Sequence, residues 1–173
     1  MGKIIFLLLA LLLVACQQIG GGNSGTMEIT ITGDLEVNME GAKLNVGYNN
    51  SEGFAESIGI GLTQGGGNNM TIFSLTLPPE PELREYNIIT SPRNPQMQNR
   101  VSSAEANLFY ANGSDSREYS QGVTGKLSFT EVGETLSGTF EATLFYGSLA
   151  AGTVDNSRSI KVTGSFTVPN PHP

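Results

Sequence analysis

Residues 125–132 (GKLSFTEV) and 134–147 (ETLSGTFEATLFYG), joined at Gly133, carry the strongest structural pattern in the chain. The apolar side chains of the second run recur at a period close to two, and they are Leu136, Phe140, Ala142, Leu144 and Tyr146. Successive side chains of a strand point to opposite faces, so this spacing predicts a strand with one buried and one solvated face. A glycine between two such runs predicts a tight antiparallel hairpin.

The same alternation recurs on both sides of this hairpin, with turn residues between the runs. Further strands are predicted around residues 27–31, 44–48, 58–62, 70–77, 84–90, 104–110 and 159–168. About eight to ten strands within residues 26–168 predict one all-β domain. An antiparallel β-sandwich of jelly-roll or immunoglobulin-like type is the first expectation, and a closed β-barrel is the second. Five prolines within residues 78–100 predict two loops around the strand at 84–90.

The amino terminus has the pattern of a secretion signal. Lys3 supplies one positive charge, and twelve apolar residues follow it at 4–15. As a helix this run would span about 18 Å, short of the roughly 30 Å of a bilayer core, which predicts a signal peptide over residues 1–15. The run Leu13-Val14-Ala15-Cys16 resembles the lipobox of bacterial lipoproteins.

That resemblance implies that Cys16 receives a diacylglyceryl group, becomes the new amino terminus after cleavage, and is then acylated on its amine. Two or more acyl chains anchor a protein stably. Cys16 is the one cysteine in the sequence, and lipidation accounts for it, whereas an ordinary secretory peptide would leave a free thiol. Gln17 stands where an aspartate resembles an inner-membrane retention signal, so the resemblance implies the outer membrane of the cell envelope and leaves the face open.

Two flexible segments are expected to flank the domain. Residues 16–25 form a lipidated, glycine-rich tether whose nine residues after Cys16 reach roughly 15–18 Å. Residues 169–173 (PNPHP) predict an extended, frayed tail. Residues 122–168 also resemble the ending of small uncharacterised bacterial secreted proteins and lipoproteins, through an SGTF motif at 137–140 and a GSF motif at 164–166. This resemblance implies structural roles for the motif residues and no activity.

Composition excludes several classes of partner and of structure. Removal of Lys3 with the leader leaves eight basic and sixteen acidic residues, a net charge of about −8, which argues against nucleic acid and against electrostatic docking on anionic lipid. Twenty-two glycines and the absence of sustained helical spacing predict little helix. The expected partner is the membrane, through the lipid on Cys16, together with an envelope protein or a glycan.

Few residues suggest chemistry, and no cofactor is expected. His172 lies in the proline-flanked tail, where a general base would lack the rigid placement that catalysis needs. Asn112 and Asp115 are weak candidates for calcium, beside their simpler role in an Asn-Gly turn. Four tyrosines could form a sugar-stacking surface or lie half-buried at the rim of a sandwich, and they are Tyr86, Tyr110, Tyr119 and Tyr146.

The sequence therefore favours an envelope-anchored lipoprotein whose β-domain has a non-enzymatic binding or structural role. A carbohydrate- or calcium-dependent binding module is the alternative, with loops around residues 63–70, 78–100 and 111–121 as its site. The second alternative is a hydrolase that uses two carboxylates across a cleft. Its candidate carboxylates fall into two groups, Glu80, Glu82 and Glu85, and Glu131, Glu134 and Glu141.

Overall fold

The computed structural model describes residues 25–39, 42–51, 55–90, 103–147 and 153–172. Its nine strands are β1 (Thr26–Gly33), β2 (Lys43–Asn49), β3 (Ser57–Gly66), β4 (Asn69–Leu77), β5 (Glu85–Ile89), β6 (Ser103–Asn112), β7 (Asp115–Val132), β8 (Thr135–Tyr146) and β9 (Asp155–Pro169). Within these described ranges, no helix is both long enough and apolar enough to cross a membrane. The signal peptide, the lipobox with Cys16 and nearly all of the tether lie outside the described residues.

The nine strands form one curled sheet in the order β1-β9-β8-β7-β5-β6-β4-β3-β2. The all-β prediction is confirmed, but the sheet is mixed rather than wholly antiparallel, because β5 runs parallel to β6. The β6–β7 hairpin is paired from Asn112–Asp115 to Leu108–Tyr119. Beyond that point β5 lies between the two strands, parallel to β6 and antiparallel to β7.

The curl of the sheet brings distant strands together around one core. The rings of Phe73 on β4 and Phe140 on β8 stack with their centroids 5.5 Å apart, although β6, β5 and β7 lie between these strands in the sheet. Phe129 meets Phe166 edge-on at 5.9 Å. The side chains that are almost wholly buried include Ile58, Ile60, Leu75, Leu77, Ile88, Leu108, Leu127, Leu136 and Leu144. The apolar face predicted for the hairpin is therefore the inner face of the sheet.

The SGTF and GSF motifs pair with each other across β8 and β9. Gly138 lies opposite Phe166, and Phe140 lies opposite Gly164. A Cβ atom on Gly138 would come within 3.0 Å of the Phe166 ring, and one on Gly164 within 2.8 Å of the Phe140 ring. Each glycine thus leaves room for the phenylalanine of the other motif, an arrangement known as aromatic rescue in sheets.

Strand β7 is longer than the sequence pattern indicated. It begins at Asp115, not near Gly125, because a register irregularity between Gln121 and Thr124 shifts the alternation within one continuous strand. Gly122 has φ of 55° at this point, a left-handed conformation that favours glycine. The hairpin predicted at Gly133 is confirmed, with Val132 opposite Leu136.

The carboxy-terminal tail is held rather than frayed as far as His172. The backbone N–H of Asn170 donates to the carbonyl of Glu134 at 2.8 Å, and its side-chain amide donates to the carbonyl of Gly133 at 2.9 Å. The ring of His172 packs edge-on against Tyr48 of β2, with centroids 4.6 Å apart. The tail therefore links the β7–β8 turn to the edge strand β2.

Candidate functional site

The sheet has two ends of different chemistry, and the direction of β1 defines them. Thr26 pairs with Thr167, and Gly33, at the other end of β1, pairs with Ile160. We call the edge with Gly25 and Thr26 the tether end, and the edge that begins after Gly33 the distal end. At about 3.3 Å per residue, the eight residues of β1 separate the two ends by roughly 26 Å.

A network of polar side chains at the distal end centres on Asp34. Its Oδ2 atom accepts a hydrogen bond from the Tyr119 hydroxyl at 2.5 Å and from Arg158 Nε at 3.1 Å. Arg158 Nη2 lies 2.9 Å from the same oxygen, and Arg117 Nη1 lies 3.8 Å from it. One carboxylate oxygen thus connects the end of β1 with the starts of β7 and β9.

Two aromatic rings complete this distal cluster, which consists of Asp34, Arg117, Tyr119, Tyr146 and Arg158. The guanidinium of Arg158 lies over the Tyr146 ring at 4.0 Å from its centroid. Tyr146 meets Tyr119 edge-on at 5.8 Å. Arg117 also pairs with Asp115, with Nη2 2.9 Å from Oδ2. Stacked arginine and tyrosine side chains are common at protein binding surfaces, and here contacts within the chain hold them in place.

The electrostatics of the distal cluster keep Asp34 ionised and Tyr119 protonated. The hydrogen bond from Arg158, aided by that from Tyr119, holds the pKa of Asp34 below its usual value. Burial, with the bond to Asp34, raises the pKa of Tyr119 above its usual value. A tyrosine in this state is a hydrogen-bond donor and a poor nucleophile near neutral pH. The arrangement therefore suits the holding of strand ends and the presentation of polar groups.

Replacement of Asp34 by asparagine should lower the free energy of unfolding at neutral pH by about 1–2 kcal/mol, because charge-assisted hydrogen bonds are lost. The pKa of Asp34 is lowered on folding, so its contribution is fully present above the unfolded value near 3.8 and is lost as the pH falls through the folded value. Thermal unfolding followed from about pH 7 into acid should show a difference between wild type and Asp34→Asn that shrinks as the Asp34 carboxylate becomes protonated.

The matched control for this experiment is Glu28→Gln, which changes an exposed carboxylate on β1, the strand that Asp34 directly follows. It should change the melting temperature little at either pH, as surface substitutions usually do. A wild-type advantage over Asp34→Asn that stayed constant with pH would contradict the role given to the carboxylate.

The predicted tyrosine surface does not form. Tyr86 is 1% exposed and Tyr119 is 0% exposed, so neither ring face is open to stack on a sugar. The Tyr86 hydroxyl instead accepts a hydrogen bond from the backbone N–H of Glu82 at 2.8 Å. Tyr110 and Tyr146 are partly buried around the core, and Tyr110 stands opposite Arg117 in the β6–β7 hairpin.

The two weak calcium candidates lie at the β6–β7 turn, also at the distal end. The Asn112 side-chain amide donates to the Tyr110 hydroxyl at 3.2 Å, and both carboxylate oxygens of Asp115 accept from Arg117 Nε at 3.1 Å. In the parts of the chain that the structure describes, no three acidic, histidine or cysteine side chains group closely enough to hold a metal ion. Asn112 and Asp115 therefore make contacts within the β6–β7 hairpin, with Tyr110 and Arg117 respectively.

The carboxylates considered for hydrolysis are engaged at exposed positions. Glu85 lies 2.6 Å from Lys126 Nζ, and Glu141 lies 3.1 Å from Lys161 Nζ. Glu82 pairs with Arg84 at 3.3 Å. Ion pairs at such exposed positions are ordinary surface contacts.

A second tyrosine–carboxylate contact lies at the tether end. The Tyr48 hydroxyl donates to Glu56 Oε2 at 2.8 Å. Burial, with the charges of Glu56 and Glu80, raises the pKa of Tyr48 to about 12. His172 contacts the ring of this tyrosine, so both belong to the packing that holds the tail.

Comparison of the chain with protein-family models, with curated proteins and with solved structures gives no match. The candidate site therefore rests on the geometry of the distal cluster. Sequence reasoning did not single out Asp34, Arg117 or Arg158. The signal that could have pointed to them is weak, since each is a charged residue at the end of an apolar-alternating run.

Proposed function

We propose that the chain is a lipoprotein of the bacterial cell envelope, anchored through lipid on Cys16, whose β-domain has a non-enzymatic binding or structural role. The outer membrane is its proposed location, and an envelope protein or glycan is its proposed partner. The observation that carries the proposal is the placement of the two ends of the sheet. The tether joins the domain at Gly25, and the preformed distal cluster lies about 26 Å away along β1.

This placement suits an anchored binding module. A tether of nine residues keeps the domain within roughly 15–18 Å of the lipid headgroups. The distal cluster then faces away from the membrane that holds the chain. Its partly exposed members are Arg117, Arg158 and Tyr146, and arginine and tyrosine side chains often dominate the energy of protein interfaces.

Mass spectrometry of the full chain, purified from the membranes of a bacterial host, tests the anchor. We expect a mature protein that begins at Cys16 and carries a diacylglyceryl group with a further acyl chain. Cys16→Ser should abolish the added mass and release the protein from the membrane fraction, because no acyl chain would remain. A chain cleaved at another bond, or an unmodified Cys16, would overturn the proposal.

The non-enzymatic part of the proposal has a separate test. Hydrolytic activity of the purified protein that is lost on a single glutamate or aspartate substitution would contradict it. Glu82→Gln and Glu141→Gln are the first variants to assay, since they sample the two groups of carboxylates.

Glycan binding at the distal end is the second candidate function. Tyr110 and Arg117 place a partly exposed ring and hydrogen-bond donors at one end of the sheet, beside Tyr146, one face of which is covered by the Arg158 guanidinium. Soluble peptidoglycan fragments should raise the melting temperature of the wild type in a concentration-dependent way, and Tyr146→Ala should remove that shift. No shift for the wild type would eliminate this candidate for that glycan class, and calcium alone is the comparison ligand.

For the finer architecture, we propose a closed barrel in preference to a two-sheet sandwich. The segment after β1 supports this closure: Ile31 forms an isolated bridge with Val37, and Leu35 and Met39 are buried in the core. The side chain of Leu44 also lies beside Gly25, where the two edges of the sheet approach. Nuclear Overhauser contacts between Gly25 and the Leu44 methyl groups in solution would support closure, and their absence would favour an open sheet.

A further inference from the structure

One apolar side chain stands out at the tether end. Leu83 is 66% exposed, more than the other large hydrophobic side chains that the structure describes as exposed, Val154 at 44% and Ile89 at 37%. It belongs to the link between β4 and β5, residues 78–84, in which Pro78 and Pro81 are buried. An isolated exposed leucine is ordinary, so its meaning depends on how it is held and where it lies.

The link holds Leu83 outward through contacts of its neighbours. The backbone N–H of Glu82 donates to the Tyr86 hydroxyl at 2.8 Å, and the N–H of Arg84 donates to the carbonyl of Glu82 at 2.8 Å. The guanidinium of Arg84 lies over the Tyr86 ring at 4.6 Å. Because Tyr86 is itself buried, these contacts tie the turn to the core and leave Leu83 at its tip.

The register of the sheet places Leu83 on the same edge as the tether. Glu28, Ser165, Thr139, Ser128 and Glu85 face one another in successive pairs across β1, β9, β8, β7 and β5. Thr26 lies two residues before Glu28 on β1, and Leu83 lies two residues before Glu85, the first residue of β5. Both strands run from the tether end toward the distal end. The chain that enters at Gly25 and the tip of the β4–β5 link therefore share one end of the domain.

We propose that the Leu83 tip is a membrane-contact point, which rests on the lipid surface and inserts its side chain among the acyl chains of zwitterionic lipid. The proposal depends on the lipid anchor proposed above, since Cys16 with its short tether brings this end of the domain to the bilayer. The charges beside Leu83 agree with it. The charges of Glu82 and Arg84 neutralise each other, and Glu80 adds a negative charge. The tip therefore has no net positive charge that would attract anionic lipid.

An introduced tryptophan tests this contact directly, because the sequence contains none. Leu83→Trp places an amphipathic fluorophore, of the kind that settles at membrane interfaces, at the tip of the link. Val154→Trp is the matched control, because Val154 is an exposed apolar side chain just before β9, at the distal end. Both full-length lipidated proteins are purified and reconstituted into phosphatidylcholine vesicles with brominated or ordinary acyl chains.

We expect brominated vesicles to reduce the Leu83→Trp emission at least about twofold relative to ordinary vesicles, and to leave Val154→Trp nearly unchanged. Equal quenching of both variants, or quenching of Val154→Trp alone, would overturn the proposal. Thermal unfolding of both variants confirms that each is folded.

Mass spectrometry of the same samples separates this proposal from the anchor on which it depends. Lipid on Cys16 without quenching at Leu83→Trp would leave the anchor standing and overturn the contact. A chain without lipid would overturn both.

Discussion

Phe73→Ala is expected to lower the free energy of unfolding by about 3–5 kcal/mol, because truncation of a buried phenylalanine removes its burial and leaves a cavity. Phe73 is fully buried and stacks on Phe140 across the interior of the curled sheet. The loss therefore falls where β4 meets β8, two strands that are not neighbours in the sheet. Urea denaturation followed by circular dichroism measures the change, and the slope of the transition should stay constant.

Phe109→Ala is the matched control for this substitution. Phe109 is only partly buried and belongs to β6, opposite Ile72, one residue away from the Phe73 pair. Its truncation should cost clearly less, about 1 kcal/mol, because less surface leaves water on folding. Equal losses for the two variants would show that the interior contact of Phe73 with Phe140 has no special weight.

Gly164→Ala should cost about 1–3 kcal/mol, because one added methyl group overpacks a close contact between strands. The new Cβ would lie 2.4 Å from the carbonyl oxygen of Glu28 and 2.8 Å from the Phe140 ring. A backbone oxygen in a paired strand moves less easily than a flexible side chain, so β1 or Phe140 must shift. For a domain of this size we expect a melting temperature lower by about 3–10 °C.

Gly133→Ala is the control, since a Cβ at this hairpin position meets nothing within 4 Å. It should leave the melting temperature almost unchanged. In a double-mutant cycle, Gly164→Ala should cost less in a Phe140→Leu background than in the wild type, because the smaller side chain frees part of the space that the methyl group takes. An equal cost in both backgrounds would attribute it to the Glu28 carbonyl alone.

The strands were predictable from the sequence because burial of one face imposes a period of two that the sequence preserves. The run around residues 159–168 shows this well: Ile160, Val162, Phe166 and Val168 are buried in β9. The hairpin at Gly133 followed from the same rule, since the alternation stops and restarts around one glycine. Local patterns of this kind can be recognised without knowing which strands are neighbours in the sheet.

The order of the strands in the sheet was not predictable. A period of two indicates which face of a strand is buried, but it does not indicate which strand lies beside it. Insertion of β5 between β6 and β7 depends on where that hairpin opens, at Tyr119. The irregularity at Gly122 interrupts the alternation of β7. For this reason the sequence pattern did not predict the first ten residues of the strand. One curled sheet and two packed sheets also share the same inward and outward alternation.

The distal cluster was missed for a related reason. Asp34, Tyr119 and Arg158 are far apart in sequence and meet because the ends of β1, β7 and β9 converge. A sugar-stacking surface would have required Tyr86 and Tyr119 to be exposed, yet the curl buries both. Tyrosine hydroxyls with fixed partners can enter a core, and here the partners are the Glu82 backbone and the Asp34 carboxylate.

The pairing of the first strand with the last determines when the domain can complete its fold. β1 is aligned with β9 over its full length, from Thr26–Thr167 to Gly33–Ile160. A ribosome that has not yet made residues 155–169 therefore holds a chain whose first strand lacks its main partner, and contacts so distant in sequence form slowly. For the exported chain proposed here, we expect this pairing to delay completion of the fold until synthesis is nearly finished.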